Sequence, residues 1–265
     1  MKVPLPIRVV PALTWQAWLT PPPIGSKTVL RDQEAMAGLV FFHTGDLTGF
    51  EVGSGPLVLA LHGWGGRAAQ MAPLAQRLAE EGFRVVVPDL PGRAGGEPTD
   101  IKQIAASVRG LVDEIGLPDI VVAHSFASLM MRVAFAEEAP RSVVWIAPAL
   151  DASDALEVFS DRLRLFPWAR RGLRRRLVDF DPVLWPRVSS LPVGDMPGTQ
   201  VLLIHDPADD ETPFARSAEL AALRPDTSIV VADGLGHSRI LSDARVLDRV
   251  AEFAGRKLSL TRSPG

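Results

Sequence analysis

The pentapeptide Ala123-His124-Ser125-Phe126-Ala127 follows an apolar run and opens a stretch of helical spacing. A serine hydroxyl is a poor nucleophile in water. On a sharp strand-to-helix turn it is lifted clear of the sheet, and the N–H of the next residue is aimed at the charge that develops on an attacked carbonyl oxygen. Ser125 is thus the candidate nucleophile and the Phe126 N–H a candidate oxyanion donor. Such elbows normally read G-x-S-x-G, because Cβ atoms two residues either side of the serine crowd the strand against the helix. Here both positions are alanine, the smallest replacement, so a slightly opened turn is expected. Taken alone, the pentapeptide also fits a serine that caps a helix.

His62-Gly63-Trp64-Gly65-Gly66 directly follows the apolar run Leu57 to Leu61 and has two readings. As an oxyanion loop, its glycines let the backbone turn so that the Trp64 N–H points into the site beside that of Phe126. As a dinucleotide fingerprint, residues 63–68 fit G-x-G-x-x-A, with Asp89 near the position of the ribose-binding acid. Only the first reading also anticipates a serine elbow and the two later sites, in chain order.

Those later sites supply a base and an acid. The loop from His205 to Pro213 offers Asp206, Asp209, Asp210 and Glu211, one of which is needed to hold a histidine in the tautomer that accepts the serine proton. Gly234-Leu235-Gly236-His237 then places a histidine after the last apolar run, in the order serine, acid, histidine. His62 and His124 flank motifs and read as loop-packing residues, His43 sits in an opening hairpin, and His205 ends a strand.

The elements that must position these residues are legible from hydrophobic period. From about Gly38, short β-rich runs alternate with longer amphipathic stretches, as when helices cover both faces of a mainly parallel sheet. Strands are expected at Leu39 to Thr44 and Phe50 to Gly53 (a hairpin), Leu57 to Leu61, Arg84 to Val87, Ile120 to Ala123, Val143 to Ala147, Val201 to His205 and Ser228 to Ala232. Several are continuous apolar runs, the mark of strands buried on both faces. Helical spacing covers Ala68 to Glu81, Ile101 to Ile115, Ser125 to Ala136, Phe214 to Leu223 and Asp243 to Phe253. Residues 151–197 break the alternation and read as a helical lid over the strand ends, where ligands bind in such sheets. The expected organisation is an N-terminal arm (1–37) packed on the body, a core (38–150 and 198–256), the lid (151–197) and a frayed tail (257–265).

Composition narrows the classes. Apolar residues make up 47% of the chain and charged residues 22%, enough to build one large core. There is no cysteine, which excludes disulfides, thiolate metal sites and a cysteine nucleophile and is compatible with the cytoplasm, the expected location. A net charge of −3 gives no reason to expect nucleic acid. Pro4, Pro6 and Pro11 interrupt the apolar N-terminus, so neither a signal peptide nor a membrane span is expected. Trp15 and Trp18 read as packing residues of the arm, with interfacial membrane anchors as the alternative. Arg170, Arg171, Arg174, Arg175 and Arg176 read as a solvated helical face.

Together these motifs resemble the α/β-hydrolase superfamily, in particular bacterial serine hydrolases with an H-G-W-G-G loop, from about Gly38 to Phe253. Pro88-Asp89-Leu90-Pro91-Gly92 is similar to the family's D-x-P-G-x-G turn, and Gly234 to Leu241 resembles its histidine segment. The resemblance implies the α/β-hydrolase fold: a mainly parallel doubly wound sheet with a short helical lid. Its H-G-x-x-D-x-x-V-P segment falls on His205 to Pro213 and selects Asp209 as the acid. Asp206 and Thr212 depart from that segment, as Ala123 and Ala127 do from the elbow. Some relatives carry the acid after the preceding strand, where this chain has Asp151 and Asp154, read here as helix-starting residues.

The expected chemistry is acyl transfer to water through Ser125, Asp209 and His237, with Trp64 and Phe126 amides as oxyanion donors and no cofactor or metal. The expected substrate is a small-molecule ester with an apolar acyl or alcohol part, in a pocket lined by Phe166, Trp168 and Trp185 of the lid. Rival readings are a noncatalytic small-molecule receptor and a nicotinamide-dependent oxidoreductase.

Overall fold

A computed structural model of the protein describes residues 10–261, with side chains from 12 to 256. Pro4 and Pro6, and residues 262–265 of the expected tail, lie outside the described residues. The elements in order are α1 (Val10–Leu19), α2 (Ser26–Ala35), β1 (Val40–Thr44), β2 (Leu47–Val52), β3 (Leu57–Leu61), a 3-10 turn (Ala68–Met71), α3 (Ala72–Glu80), β4 (Arg84–Asp89), α4 (Ile101–Ile115), β5 (Ile120–His124), α5 (Ala127–Ala134), β6 (Ser142–Ile146), α6 (Ala152–Arg162), α7 (Pro167–Phe180), α8 (Leu184–Val188), β7 (Gln200–His205), α9 (Phe214–Leu223), β8 (Thr227–Val231), α10 (Gly236–Arg239) and α11 (Ala244–Thr261).

The strands form one sheet in the order β1-β2-β4-β3-β5-β6-β7-β8, antiparallel at β1 and β2 and parallel from β4 onward. The central strands are apolar throughout because both faces are covered. In β5, Ile120 and Val122 pack into the core on one face and Val121 and Ala123 into that on the other, and β6 and β7 divide in the same way. The chain leaves β3 toward β4 on one side and returns to β5 on the other. The β3 and β5 ends therefore flank a switch point, where loops diverge and leave a crevice.

Several boundaries differ from the sequence expectation, three of them by more than a residue or two at an end. The helix expected from Ala68 opens as a 3-10 turn, and the α-helix starts at Ala72 with Pro73 in its first turn, where the missing N–H costs nothing. The second hairpin strand begins at Leu47, whose buried side chain joins the core. Helix α11 runs past Arg256 to Thr261, where fraying was expected.

The segment expected as a lid folds as α6, α7 and α8, with a small core of Leu156, Leu173, Leu177, Trp185 and Val188 against Leu129 of α5. Two arginines tie it to the body, Arg132 buried and Arg216 partly exposed. Arg132 of α5 pairs with Asp195 at 2.7 Å and donates to the carbonyls of Leu150 and Arg187. On the other side, Arg216 of α9 holds Asp154 at the start of α6 at 2.7 Å. Helix α1 lies on α7, with Trp15 against Phe180 and Trp18 edge-on to Phe159.

Candidate active site

Parallel pairing of β3 with β5 brings the two glycine- and serine-bearing loops together. Leu61 is in register with Ala123, so Gly63 and Ser125 emerge side by side two residues later. A Cβ on Gly63 would lie 2.8 Å from the Ser125 Cβ and 3.2 Å from the His124 carbonyl oxygen, which leaves room for glycine alone. Ser125 has φ 56°, a left-handed conformation that costs a non-glycine residue energy and is held by the bonds around it. Its N–H donates to the Ile146 carbonyl, and its own carbonyl accepts from the N–H groups of Ser128 and Ala149. The buried Ser128 hydroxyl lies 2.6 Å from both the Ser125 and Ala149 carbonyl oxygens. Ala123 and Ala127 are fully buried on either side, so methyl groups are accommodated where glycines are usual.

Three side chains meet here from three loops. The Ser125 hydroxyl donates to His237 Nε2 across 2.9 Å, and His237 Nδ1–H donates to Asp209 Oδ2 across 2.8 Å. The network assigns this tautomer: an ionised carboxylate can only accept, so the Nδ1 proton faces it. Burial by itself would raise the Asp209 carboxyl, but hydrogen bonds from His205 and His237, the His237 charge and the Thr212 amide hold it well below the ordinary carboxylate range. Its Oδ1 accepts from the N–H groups of Glu211 and Thr212, and its Oδ2 from the Thr212 hydroxyl. The side chain of Asp209 is closed to solvent.

The competing carboxylates are engaged elsewhere. Asp206 accepts from the Gly236 N–H, which brings the loop bearing His237 onto the loop after β7, and this bond is the chief reason its carboxyl is held low. Asp210 is exposed. Glu211 pairs with Arg162 of the lid at 3.2 Å, and its other oxygen lies 3.6 Å from His237 Nε2. Asp151 caps α6 by accepting the Ser153 N–H, and Asp154 holds Arg216.

Three of the other histidines are structural supports, and His43 is exposed. His62 Nε2 accepts the Leu90 N–H, which leaves Nδ1–H for the Gly63 carbonyl, and burial lowers its pKa. His124 Nε2–H donates to the His237 carbonyl at 2.9 Å. Burial and the neighbouring His237 lower its pKa to about 3, so it is neutral. His205, read from sequence as a strand-ending residue, stands behind Asp209, a role that spacing alone did not signal.

The loop after β3 presents backbone donors. The Gly65 N–H donates to the Gly92 carbonyl and the Gly66 N–H to the Gly63 carbonyl, whereas neither the Trp64 nor the Phe126 N–H has an acceptor among the described residues. The Asp89 carboxylate accepts the Ala68 N–H at 2.7 Å, fastening the 3-10 turn. Among the described residues, no group of three His, Asp or Glu side chains gathers as a metal site.

Ser125 opens into a cavity of about 250 Å³ whose walls are mainly apolar: Trp64 and Phe126 from the body, Val158, Phe159 and Trp185 from the lid, and Trp15 and Trp18 from α1. Trp185 was anticipated from sequence. Phe166 and Trp168 were also expected there, and this is corrected. Phe166 is 68% exposed, and the two rings stack on each other at the surface, outside the cavity lining. The α7 residues that face inward are those on the stripe through Leu173 and Leu177, and Trp168 lies off that stripe.

No curated protein shows significant sequence similarity to the chain. Among solved structures it is similar to a putative lipase from Acinetobacter baumannii (16% identity over 91% of this chain and 98% of that one, TM-score 0.65). It is also similar to an esterase from Pyrococcus furiosus (18% identity, 90% and 97% covered, TM-score 0.63). A thermophilic esterase from Thermogutta terrifontis matches at 16% identity (80% and 93% covered, TM-score 0.57). These likenesses establish the α/β-hydrolase fold. The family model described as alpha/beta hydrolase matches residues 57–250, from β3 into α11, and the chain therefore belongs to the alpha/beta hydrolase family.

Proposed function

We propose that the protein cleaves carboxylic esters by acyl transfer through Ser125 to water. His237 takes the Ser125 proton as the hydroxyl oxygen attacks the ester carbonyl, and Asp209 stabilises the imidazolium that results. The Trp64 and Phe126 N–H groups stabilise the tetrahedral oxyanion. Collapse returns the proton to the leaving alcohol, and water activated by the same histidine then releases the acyl group. The observation that carries this reading is the continuous relay from Ser125 Oγ to His237 Nε2 (2.9 Å) and from His237 Nδ1 to Asp209 Oδ2 (2.8 Å) at the edge of an apolar cavity. The esterases and lipase among the similar structures support an ester as the bond cleaved, and the apolar walls support an apolar acyl or alcohol part.

The test is covalent. A fluorophosphonate should label the protein at Ser125 and abolish hydrolysis of model esters, and Ser125→Ala should neither label nor turn over. A receptor on the same fold would bind esters without consuming them. Absence of both labelling and turnover in the folded wild-type protein would overturn the proposal.

A further inference from the structure

Helix α1 lies outside the residues that match the family model, yet it supplies part of the cavity wall beside Ser125. Trp15, Trp18, Leu19 and Pro22 face the cavity, opposite lid residues of α6 and α7. Trp18 meets Phe159 of α6 edge-on with ring centroids 5.0 Å apart, and Trp15 packs on Phe180 of α7 at 5.4 Å, with the Arg176 guanidinium over the Trp15 ring at 5.1 Å. Such edge-to-face and cation–π contacts favour a defined ring orientation over a loose apolar cover.

The same segment is fastened to the loop that follows β3. Pro22 packs so closely on Gly65 that a Cβ there would lie 2.7 Å from the proline ring. The Pro22 carbonyl accepts the Gly95 N–H at 2.8 Å, and the Leu19 carbonyl accepts the Thr99 N–H at 2.9 Å. One helix later, Asp32 of α2 forms an ion pair with Arg67 at the far end of the same loop. Four separate attachments thus hold residues 19–32 against the body, and α1 is carried over the cavity on that base.

We propose that α1 is a fixed wall of the substrate pocket and that Trp18 sets the length of the apolar chain the enzyme accepts. The proposal rests on the esterase reading above and deepens it: the substrate class is an ester whose acyl chain lies between the lid and α1. A tryptophan fills far more space than the alanines at 152 and 155, which line the same cavity, so its ring limits how far a chain extends. Removing it lengthens the pocket, and one methylene more or less in an apolar pocket changes kcat/KM by about tenfold or more.

The experiment compares kcat/KM for butyrate, octanoate and dodecanoate esters of one chromophoric alcohol across variants of the full chain. Trp18→Ala should raise the dodecanoate-to-butyrate ratio by about tenfold relative to wild type. Trp18→Phe, which keeps a ring against Phe159, should move the ratio in the same direction by less and serves if the alanine variant does not fold. Leu13→Ser, on the exposed side of α1, should leave the ratio unchanged. A small fluorophosphonate reports separately on Ser125. If wild type and the Trp18 variants label normally and the ratio stays at the wild-type value, the wall proposal is overturned while the esterase reading stands. If wild type neither labels nor hydrolyses any of the three esters, it is the esterase reading that fails.

Discussion

His205 Nε2 lies 3.4 Å from Asp209 Oδ2, the same oxygen that accepts from His237, and the side chains of His205 and Asp209 are fully enclosed. The Ser217 hydroxyl lies 2.7 Å from His205 Nδ1 and the Thr212 carbonyl 3.2 Å from Nε2. A carbonyl and a carboxylate facing Nε2 require the proton there, so Ser217 donates to Nδ1 and the Nε2–H is shared between the Thr212 carbonyl and Asp209. The acid that orients the proposed base is itself oriented.

Replacing His205 should therefore depress turnover without touching substrate. A hydrogen bond to a charged group contributes about 1.5–3 kcal/mol, so His205→Ala is expected to lower kcat by about 10- to 100-fold with little change in KM. His205→Gln, which can present an N–H near the Nε2 position, should recover part of the loss. Equal kcat in wild type and His205→Ala would show that Asp209 is held well enough without it.

The Ser125 and His237 losses should not add. Ser125→Ala is expected to lower kcat by about 10⁴ to 10⁶, and adding His237→Ala should cost little more, because either change removes the same proton transfer. Stopped assays on the two single variants and the double variant decide the matter, and full additivity would argue against a shared relay.

Asp209, held low as a carboxylate, stays ionised throughout the assay range and adds no titration of its own to the rate. Asp209→Asn should reduce kcat by about 10⁴, because an amide there no longer favours the imidazole tautomer that accepts the serine proton. Turnover of Asp209→Asn near the wild-type rate would contradict the assigned pair.

His124 makes the fold acid-sensitive. Unfolded, it takes a proton at its ordinary value of 6.5, whereas folded it resists protonation until about pH 3. Between those values the unfolded state binds the extra proton, so stability is full above pH 6.5 and falls by about 1.4 kcal/mol per unit as pH drops. His62, also lowered by burial, acts in the same direction. His124→Gln, able to keep the bond to the His237 carbonyl, should flatten the pH dependence of the urea midpoint, and an unchanged slope would remove His124 from this role.

Gly63→Ala tests the close approach of the two loops. The added methyl would sit 2.8 Å from the Ser125 Cβ and 3.3 Å from its Oγ, so one of the loops must move. A displacement near 1 Å of a reacting group costs about 10² in rate. Steady-state kinetics should show that drop in kcat while the thermal midpoint changes far less, whereas wild-type turnover would mean the loop relaxes freely. Ser128→Ala should lower stability by about 1–3 kcal/mol, because its buried hydroxyl lies between the Ser125 and Ala149 carbonyls.

The central strands were legible in the sequence because burial on both faces admits only apolar side chains, as in Val121-Val122-Ala123 and Leu202-Leu203-Ile204. Ser125 and His237 were legible as a candidate nucleophile and a candidate base because a nucleophile needs a strand-to-helix turn and a base needs a loop at the same end of the sheet, and local residues specify both. Spacing could not choose among the four carboxylates from Asp206 to Glu211, since a loop can turn any of them inward. The family resemblance pointed to Asp209. In the structure the Asp209 carboxylate meets His237, while that of Asp206 accepts the Gly236 N–H, Asp210 is exposed and Glu211 pairs with Arg162. Phe166 and Trp168 could not be placed from sequence, because an aromatic residue beside an amphipathic helix faces cavity or solvent according to how that helix is rotated against its neighbours. The same holds for Trp15 and Trp18. Their apolar character determined that they would be covered, but only the attachments of Leu19, Pro22 and Asp32 to the body decided that they would line the cavity at Ser125.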